Sequence, residues 1–283
     1  MRSGRAVLRT LRADATRRLA DAGVASPQVD AELLLAFSLG VPRGRLAIAA
    51  EPNAEQQQAF DQLVERRARR EPLQHLTGRA PFRRLDLRVG PGVFVPRPET
   101  ELLTGWAIEH TSTGSDLVVV DLCTGSGAIA AAVASEVPAA RVYAVELSPE
   151  AYAYAFDNLA GTGVDLRLGD AATAFAELDG AVEVVVANPP YIPLGAYDEV
   201  PAEARLFDPP VALWSGDDGL DTIRVVARVA ARLLRPGGVV GCEHADAQGD
   251  SAPAVFRDGD SWSDITDHRD LAGRPRFVTA RRR

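Results

Sequence analysis

The tetrapeptide Asn188-Pro189-Pro190-Tyr191 closes a short β-branched run, Val182-Glu183-Val184-Val185-Val186-Ala187, which reads as a buried strand stopped by its two prolines. A polar amide at the carboxyl end of a central strand, followed by a rigid Pro-Pro and an aromatic ring, makes a small polar pocket. Such a pocket suits a planar NH2 group. The Asn188 side-chain oxygen and the Pro189 carbonyl can each accept one of its hydrogens, and the Tyr191 ring can cover its face. Proline has no N–H, so this wall offers acceptors and few donors.

A second constellation lies upstream. Val118-Val119-Val120-Asp121-Leu122 is a short apolar strand running into Cys123-Thr124-Gly125-Ser126-Gly127 and then the alanine-rich Ala128-Ile129-Ala130-Ala131-Ala132-Val133. Strand, glycine turn and helix form the first βα unit of a nucleotide-binding sheet. Gly125 and Gly127 permit positive φ and let backbone approach a ligand closely. The next strand, Arg141-Val142-Tyr143-Ala144-Val145, ends in Glu146, about 20 residues past the glycines, where an acid can hold two ribose hydroxyls. Gly169-Asp170, after a third strand at Val164–Leu168, sits where a side chain and nearby backbone can meet an adenine base.

Two ligands fit that geometry, a dinucleotide or S-adenosylmethionine. The turn lacks the G-x-G-x-x-G spacing that places a pyrophosphate on a helix N-terminus. It reads D-x-C-x-G-x-G, which resembles the first motif of class I S-adenosylmethionine-dependent methyltransferases. With an N-P-P-Y tetrapeptide after the fourth strand it looks like the branch that methylates planar nitrogens, namely glutamine amides, adenine N6 and guanine N2. Cys123 stands where the usual pattern has its first glycine, so that position is expected to hold a side chain at negative φ. The thiol reads as a small buried hydrophobe rather than a nucleophile.

At 283 residues the chain is long enough for two domains, each with its own core. Its hydrophobic content of 46% and charged content of 25% are ordinary for a globular protein. No charged-then-apolar leader and no bilayer-length apolar run is visible, so a cytoplasmic enzyme is expected. Cys123 and Cys242 lie in or beside predicted strands, which argues against a disulfide framework. His75, His110, His244 and His268 have no metal-ligand spacing, and no metal site is expected. The net charge is −8 and every basic residue is arginine; a net-acidic chain is a poor prior for a protein that tracks duplex phosphates.

These residues need a scaffold. The first 75 or so positions read as helices: Ala6 to Ala22; a second opened by Ser26-Pro27 and ended by Gly40 and Pro42; a third from about Ala54 to Arg70. The arginines at 66, 67, 69 and 70 complement the end of that helix; such a run could touch RNA or an acidic partner, and a solvated helix end is the favoured reading. Pro81 to Val89 alternates, turns at Gly90-Pro91-Gly92 and continues as Val93-Phe94-Val95, which predicts a β-hairpin. Pro96-Arg97-Pro98-Glu99-Thr100-Glu101 leads into a helix through Ile108. Pro193 to Gly219 reads as a long loop over the pocket mouth. Val225 to Leu234 is a helix ended by Pro236-Gly237-Gly238, followed by a strand at Val239–Glu243 and a closing pair at Ser263–Asp267 and Arg276–Ala280. The predicted fold is α/β, a doubly wound, mostly parallel, Rossmann-like sheet with an antiparallel edge, preceded by a small all-α domain. The boundaries fall at 1–80 for the helical domain, 81–95 for a hairpin linker and 96–283 for the sheet domain.

Over nearly its full length the chain resembles the peptide chain release factor glutamine N5-methyltransferases. The resemblance is carried by Asp30-Ala31-Glu32-Leu33-Leu34-Leu35, Pro72-Leu73-Gln74-His75-Leu76-Thr77-Gly78, Pro96 through Glu101, and Asn188 through Tyr191. It implies a helical domain that recognises a class I release factor, and a target glutamine in the Gly-Gly-Gln loop of that factor. S-adenosylmethionine would be the methyl donor and S-adenosylhomocysteine the product. By position, Cys123, Thr124, Gly125, Ser126, Gly127 and Glu146 would line the cofactor, with Asp170 and Ala171 near its adenine; family members often carry an aromatic where Ala171 stands. Asn188 would touch cofactor and substrate, Pro189, Pro190 and Tyr191 would complete the glutamine site, and Phe94 and Arg97 would border it. No membrane and no stable nucleic-acid partner is expected. The competing readings are an adenine-N6 or guanine-N2 nucleic-acid methyltransferase, which would flip a base into the same pocket and need a basic groove, and a non-enzymatic adenosyl-binding adaptor, which would not need the intact tetrapeptide.

Overall fold

Helical and strand periodicities in the sequence become discrete elements in the computed structural model, which describes residues 2–111 and 117–283. Four helices come first: α1 (Arg2–Asp21), α2 (Pro27–Leu39), α3 (Ala54–Ala68) and the short α4 (Leu73–Thr77). A two-stranded hairpin, β1 (Arg79–Phe82) and β2 (Leu85–Arg88), leads to α5 (Thr100–Thr111). Strand and helix then alternate through β3 (Val118–Leu122), α6 (Ala128–Glu136), β4 (Arg141–Glu146), α7 (Pro149–Leu159), β5 (Asp165–Leu168) and β6 (Val182–Ala187). After several short turns and α8 (Ala202–Phe207) come α9 (Asp221–Leu233), β7 (Leu234–Glu243), α10 (Ser251–Arg257), β8 (Trp262–Arg269) and β9 (Pro275–Arg282).

Seven strands form one sheet in the order β5-β4-β3-β6-β7-β9-β8. The five strands β5, β4, β3, β6 and β7 are parallel, and β9 and β8 close the edge antiparallel. Strand order changes direction between β3 and β6, the place where an open α/β sheet binds its ligand beyond the carboxyl ends. Beyond the register shift that follows Val182, successive residues of β6 face opposite sides. Val182, Val185 and Ala187 join a core with α9 and α10, while Val184 and Val186 join one with α5, α6 and α7. Covering on both faces explains why β3 and β6 are continuous apolar runs without alternation.

The chain divides into two compact units, Met1–Arg79 with Pro201–Phe207, and Ala80–Val200 with Asp208–Arg283. The first has its own core of Leu8, Leu19, Leu34, Leu35, Phe60 and Val64, among others. Its helices are punctuated by the sequence. Pro27 opens α2 and Gly40, at φ 66°, caps it. Asn53 and Gln56 form a reciprocal capping box at the start of α3 (2.8 and 3.0 Å). The arginine run is only in part the solvated helix end the sequence suggests: Arg66 and Arg69 are exposed, while Arg67 and Arg70 turn inward. Arg67 is buried, with Nε donating to Asp30 (2.7 Å) and Nη2 to Glu203 of α8 (3.2 Å). Arg70 donates to Glu203 (2.7 Å) and to the Gly23 carbonyl, Arg66 pairs with Glu71 (2.5 Å), and Arg69 pairs with Glu65.

Three other sequence expectations change. The hairpin turns at Arg83-Arg84 rather than at Gly90–Gly92, and residues 93–95 are not a strand, although Val93 and Val95 are buried. Arg83 takes φ 53° and is held there by Glu136, which accepts from Nε (2.6 Å) and Nη2 (2.8 Å), while Glu101 accepts from its backbone N–H (3.0 Å). Pro193–Gly219 is not one irregular loop, since it contains α8, which belongs to the helical unit. Helix α9 stops at Leu233, and Pro236-Gly237-Gly238 lie within β7 where its register against β6 shifts.

Candidate active site

Strand register builds the site. Leu122 pairs with Val145 of β4 and with Ala187 of β6, and Ala187 pairs with Cys242 of β7. The next residue of each strand therefore falls in one row at the carboxyl edge: Glu146, Cys123, Asn188 and Glu243. Neighbouring strands lie about 4.8 Å apart, so the glycine turn and the N-P-P-Y tetrapeptide stand side by side at the switch point.

On the β3 side the turn is rigidly held. Asp121 is fully buried, and its Oδ2 accepts from Thr124 Oγ1 (2.6 Å) and from the Ala130 amide of α6 (3.1 Å). Burial pushes its carboxyl up to about 7, against those two bonds. Gly127, at φ 82°, caps the start of α6, and a Cβ there would crowd Leu159. Cys123 takes φ 60°, so the expected negative φ is wrong. Cys123 thus holds a left-handed conformation while carrying a side chain. Burial, then the charges of Glu146, Asp121 and Asp170, push the Cys123 thiol far up, so it stays protonated and is no nucleophile.

Glu146 is nearly buried. Its Oε2 accepts from Gly125 N–H (2.8 Å) and its Oε1 from Ser148 N–H (2.9 Å). Burial raises its pKa while these backbone donors oppose the shift. Beyond β5, Asp170 Oδ1 accepts from the Ala172 amide (2.8 Å), and Ala171 packs on the core near Phe175. These residues fit S-adenosylmethionine. Glu146 is fixed in place with lone pairs left for ribose hydroxyls. Ser126 Oγ, buried in the turn, has no protein partner among the described residues.

On the β6 side, Asn188 is half-buried and Pro189 buried. Asn188 Nδ2 donates to Thr100 Oγ1 (3.1 Å), and Thr100 Oγ1 donates to Glu243 Oε2 (2.8 Å). Tyr191 donates its phenol to Glu243 Oε1 (3.3 Å). Its carbonyl accepts from Gln248 Nε2 (3.0 Å), which also reaches Asp218 O (3.3 Å). Gly219, at φ 75°, lies where a Cβ would strike that same Tyr191 carbonyl. Burial, then the nearby Glu243 charge, hold the Tyr191 phenol far above its usual range. Arg97 lies over the Phe94 ring (4.7 Å to its centroid) and pairs with the buried Asp208 (2.7 Å). Burial pushes the Asp208 carboxyl up to about 6, against Arg97.

The structure thus brings Cys123, Thr124, Gly125, Ser126, Gly127, Glu146 and the Asn188–Tyr191 tetrapeptide to one edge of the sheet. Thr100, Glu243 and Gln248 were missed by sequence reasoning. Thr100 lies inside the quoted Pro96–Glu101 hexapeptide, which was a signal. Glu243 and Gln248 are a lone acid at a strand end and a lone amide, which spacing alone does not mark.

Sheet, switch point and glycine turn together define a methyltransferase of the class I fold. The chain matches the family model of the PrmC N-terminal domain over residues 10–78 and that of the methyltransferase small domain over residues 85–208. It is 58% identical to the release factor glutamine methyltransferase of Streptomyces coelicolor, covering 95% of this chain and 96% of that one. It is 52% identical to the protein of the same name from Mycolicibacterium smegmatis, covering 97% and 98%. A 4-amino-L-phenylalanine/4-methylamino-L-phenylalanine methyltransferase of Streptomyces pristinaespiralis is 44% identical over 88% of this chain and 87% of its own. The chain belongs to the release factor glutamine methyltransferase family.

Proposed function

We propose that this protein methylates the side-chain amide nitrogen (N5) of the glutamine in the Gly-Gly-Gln loop of a class I peptide chain release factor. S-adenosylmethionine is the donor and S-adenosylhomocysteine the product. The observation that carries the reading is Asn188, set beside the glycine turn at the carboxyl edge of the sheet, in a chain that matches release factor glutamine methyltransferases end to end.

When bound, S-adenosylmethionine supplies an electrophilic methyl group on a sulfonium sulfur. The protein's own task is to make an amide nitrogen nucleophilic enough to accept it. That nitrogen is poor because its lone pair is delocalised into the carbonyl. Asn188 Oδ1 and the Pro189 carbonyl accept its two hydrogens, which favours charge on nitrogen and fixes its direction. Pro190 stiffens the wall and Tyr191 closes it, with Phe94 and Arg97 at its border. Orientation and acceptor electrostatics do most of the work, the proton leaves late to solvent, and no strong base is needed. Glu146 and the turn from Cys123 to Gly127 hold the donor, with Asp170 and Ala171 toward its adenine.

The partner is a folded protein rather than a nucleic acid. A net charge of −8 disfavours a nucleic-acid partner, and each arginine at 66, 67, 69 and 70 faces a carboxylate within the helical unit. The test is incubation of the purified protein with release factor and labelled methyl donor, followed by mass-spectrometric mapping. Label on the glutamine of the Gly-Gly-Gln loop is expected. The name of the Streptomyces pristinaespiralis relative makes 4-aminophenylalanine the competing substrate to include. Faster turnover of that amine, or of DNA or RNA, overturns the reading.

A further inference from the structure

The tetrapeptide explains which atom of Asn188 has to face the substrate but not what keeps it there. A carboxamide rotated by half a turn about its last bond presents NH2 in place of oxygen, at almost no steric cost. A pocket that offered a donor to an NH2 group would repel it. Something outside the tetrapeptide has to choose between the two orientations.

Glu243 makes that choice. Its carboxylate lies at the carboxyl end of β7, 1% exposed, and when ionised it can only accept hydrogen bonds. Thr100 has one hydroxyl hydrogen and is itself 3% exposed. That hydrogen is committed to Glu243 Oε2 (2.8 Å), so the Thr100 oxygen can offer only a lone pair to its other neighbour. The neighbour is Asn188 Nδ2 (3.1 Å). Nδ2 is thereby fixed against Thr100 and Oδ1 is left as the acceptor end of the amide. The phenol of Tyr191 spends its only hydrogen on Glu243 Oε1 (3.3 Å), so one carboxylate orients both polar side chains of the tetrapeptide. This also gives the Pro96–Glu101 hexapeptide a task, since it delivers Thr100 to Asn188 from 88 residues away.

We propose that Glu243 and Thr100 are positioning residues for the methyl transfer, forming a one-way hydrogen-bond relay that holds Asn188 Oδ1 toward the target nitrogen. The proposal rests on the reading of Asn188 as the acceptor for the substrate amide. It carries a pH dependence. A proton on Glu243 Oε2, the oxygen that faces Thr100, turns that oxygen from acceptor to donor. Thr100 is then free to donate to Asn188, and the amide rotates to present NH2. Several groups act on Glu243. Burial pushes its carboxyl up to about 7, the hydroxyl of Thr100 on α5, Arg276 of β9 and the phenol of Tyr191 pull it down, and Glu99 pushes it up.

Four variants of the full-length protein test this against intact release factor, with thermal melts to confirm folding. Wild-type kcat should rise through about pH 7 to a plateau, and Glu243→Gln, which cannot ionise, should lose that limb and run flat below the plateau. Thr100→Val should lower kcat at least about tenfold while KM for release factor and the affinity for S-adenosylmethionine stay within about threefold. Thr100→Ser, which keeps the hydroxyl, should recover most of that loss. Asn188→Ala, expected to cost about a hundredfold, separates the two levels. If Asn188→Ala is inactive but Thr100→Val is not, the relay is wrong and the acceptor stands; if both turn over like wild type, the acceptor reading itself fails. Should Thr100→Val not fold, the Glu243→Gln profile decides alone, and a retained wild-type limb near pH 7 overturns the proposal.

Discussion

At Cys123 the glycine turn carries a Cβ at φ 60°, a conformation that costs a non-glycine residue roughly 1–2 kcal/mol. Cys123→Gly removes that cost and adds back about 0.5–1 kcal/mol of backbone entropy, so the variant should be as stable as wild type or up to about 1 kcal/mol more so. Denaturant unfolding would check it, and a clear loss of stability would mean the half-buried thiol contributes more packing than strain. Glu146 is the other residue whose role separates from its neighbours. Its two oxygens already take Gly125 and Ser148 amides, and ribose hydroxyls would add charge-assisted bonds to a fixed acceptor. Glu146→Ala should weaken S-adenosylmethionine by about 1.5–3 kcal/mol, and an unchanged titration calorimetry isotherm would remove the acid from the ribose site. Both residues were legible in the sequence because motif spacing marks them. The sign of φ at Cys123 was not, because a non-glycine residue does not signal a left-handed turn. Glu243 was not legible either, since its significance is a contact made with Thr100 at 143 residues' separation.

Among elements, the strand–turn–helix from β3 to α6 depends on Asp121, whose carboxylate ties Thr124 and the first turn of the helix to the strand. Its folded-state value of about 7 stands well above the ordinary 3.8. Between those two values the folded chain holds a proton that the unfolded chain has released, so raising the pH through this window favours unfolding. Asp121→Asn has no such proton. Its stability relative to wild type should therefore climb by a few kcal/mol between pH 4 and 7 and then level off; a constant difference across that range would show that the carboxyl is ionised when folded. In the helical unit, the Asp30–Arg67 pair joins α2 to α3 with both side chains about 90% buried. Asp30→Ala leaves the guanidinium with Glu203 (3.2 Å) and the Glu71 carbonyl (3.1 Å) and should cost about 3 kcal/mol, read as a lower melting temperature, whereas a loss below about 1 kcal/mol would show that these two partners suffice. Sequence periodicity placed α2 and α3 well but misread Arg67 as solvated, because its partners lie 37 and 136 residues away. The hairpin was misplaced for a similar reason. Arg83 adopts the turn conformation through Glu101 and Glu136, without the glycine or asparagine that usually signals it.

At the scale of the whole molecule, the proposed pocket of one asparagine, two prolines and a tyrosine would recognise a planar NH2 group and little more. Selecting one glutamine among all those in a cell then falls to surface remote from the methyl group, with that binding energy used to place the loop. The helical unit is the part with a separate core and a separate family match, so it is the element we propose for this role. Removing residues 1–79 would strip Glu203 of Arg67 and Arg70, so the test keeps the chain whole and shortens the substrate instead. Intact release factor should exceed a short Gly-Gly-Gln peptide in kcat/KM by at least about a hundredfold, roughly 2.7 kcal/mol. The loss on truncation should appear in kcat as well as KM, because remote contacts orient the amide in addition to holding it. Equal kcat/KM for peptide and protein would mean that the pocket alone selects its glutamine, and would leave the helical unit without a part in recognition.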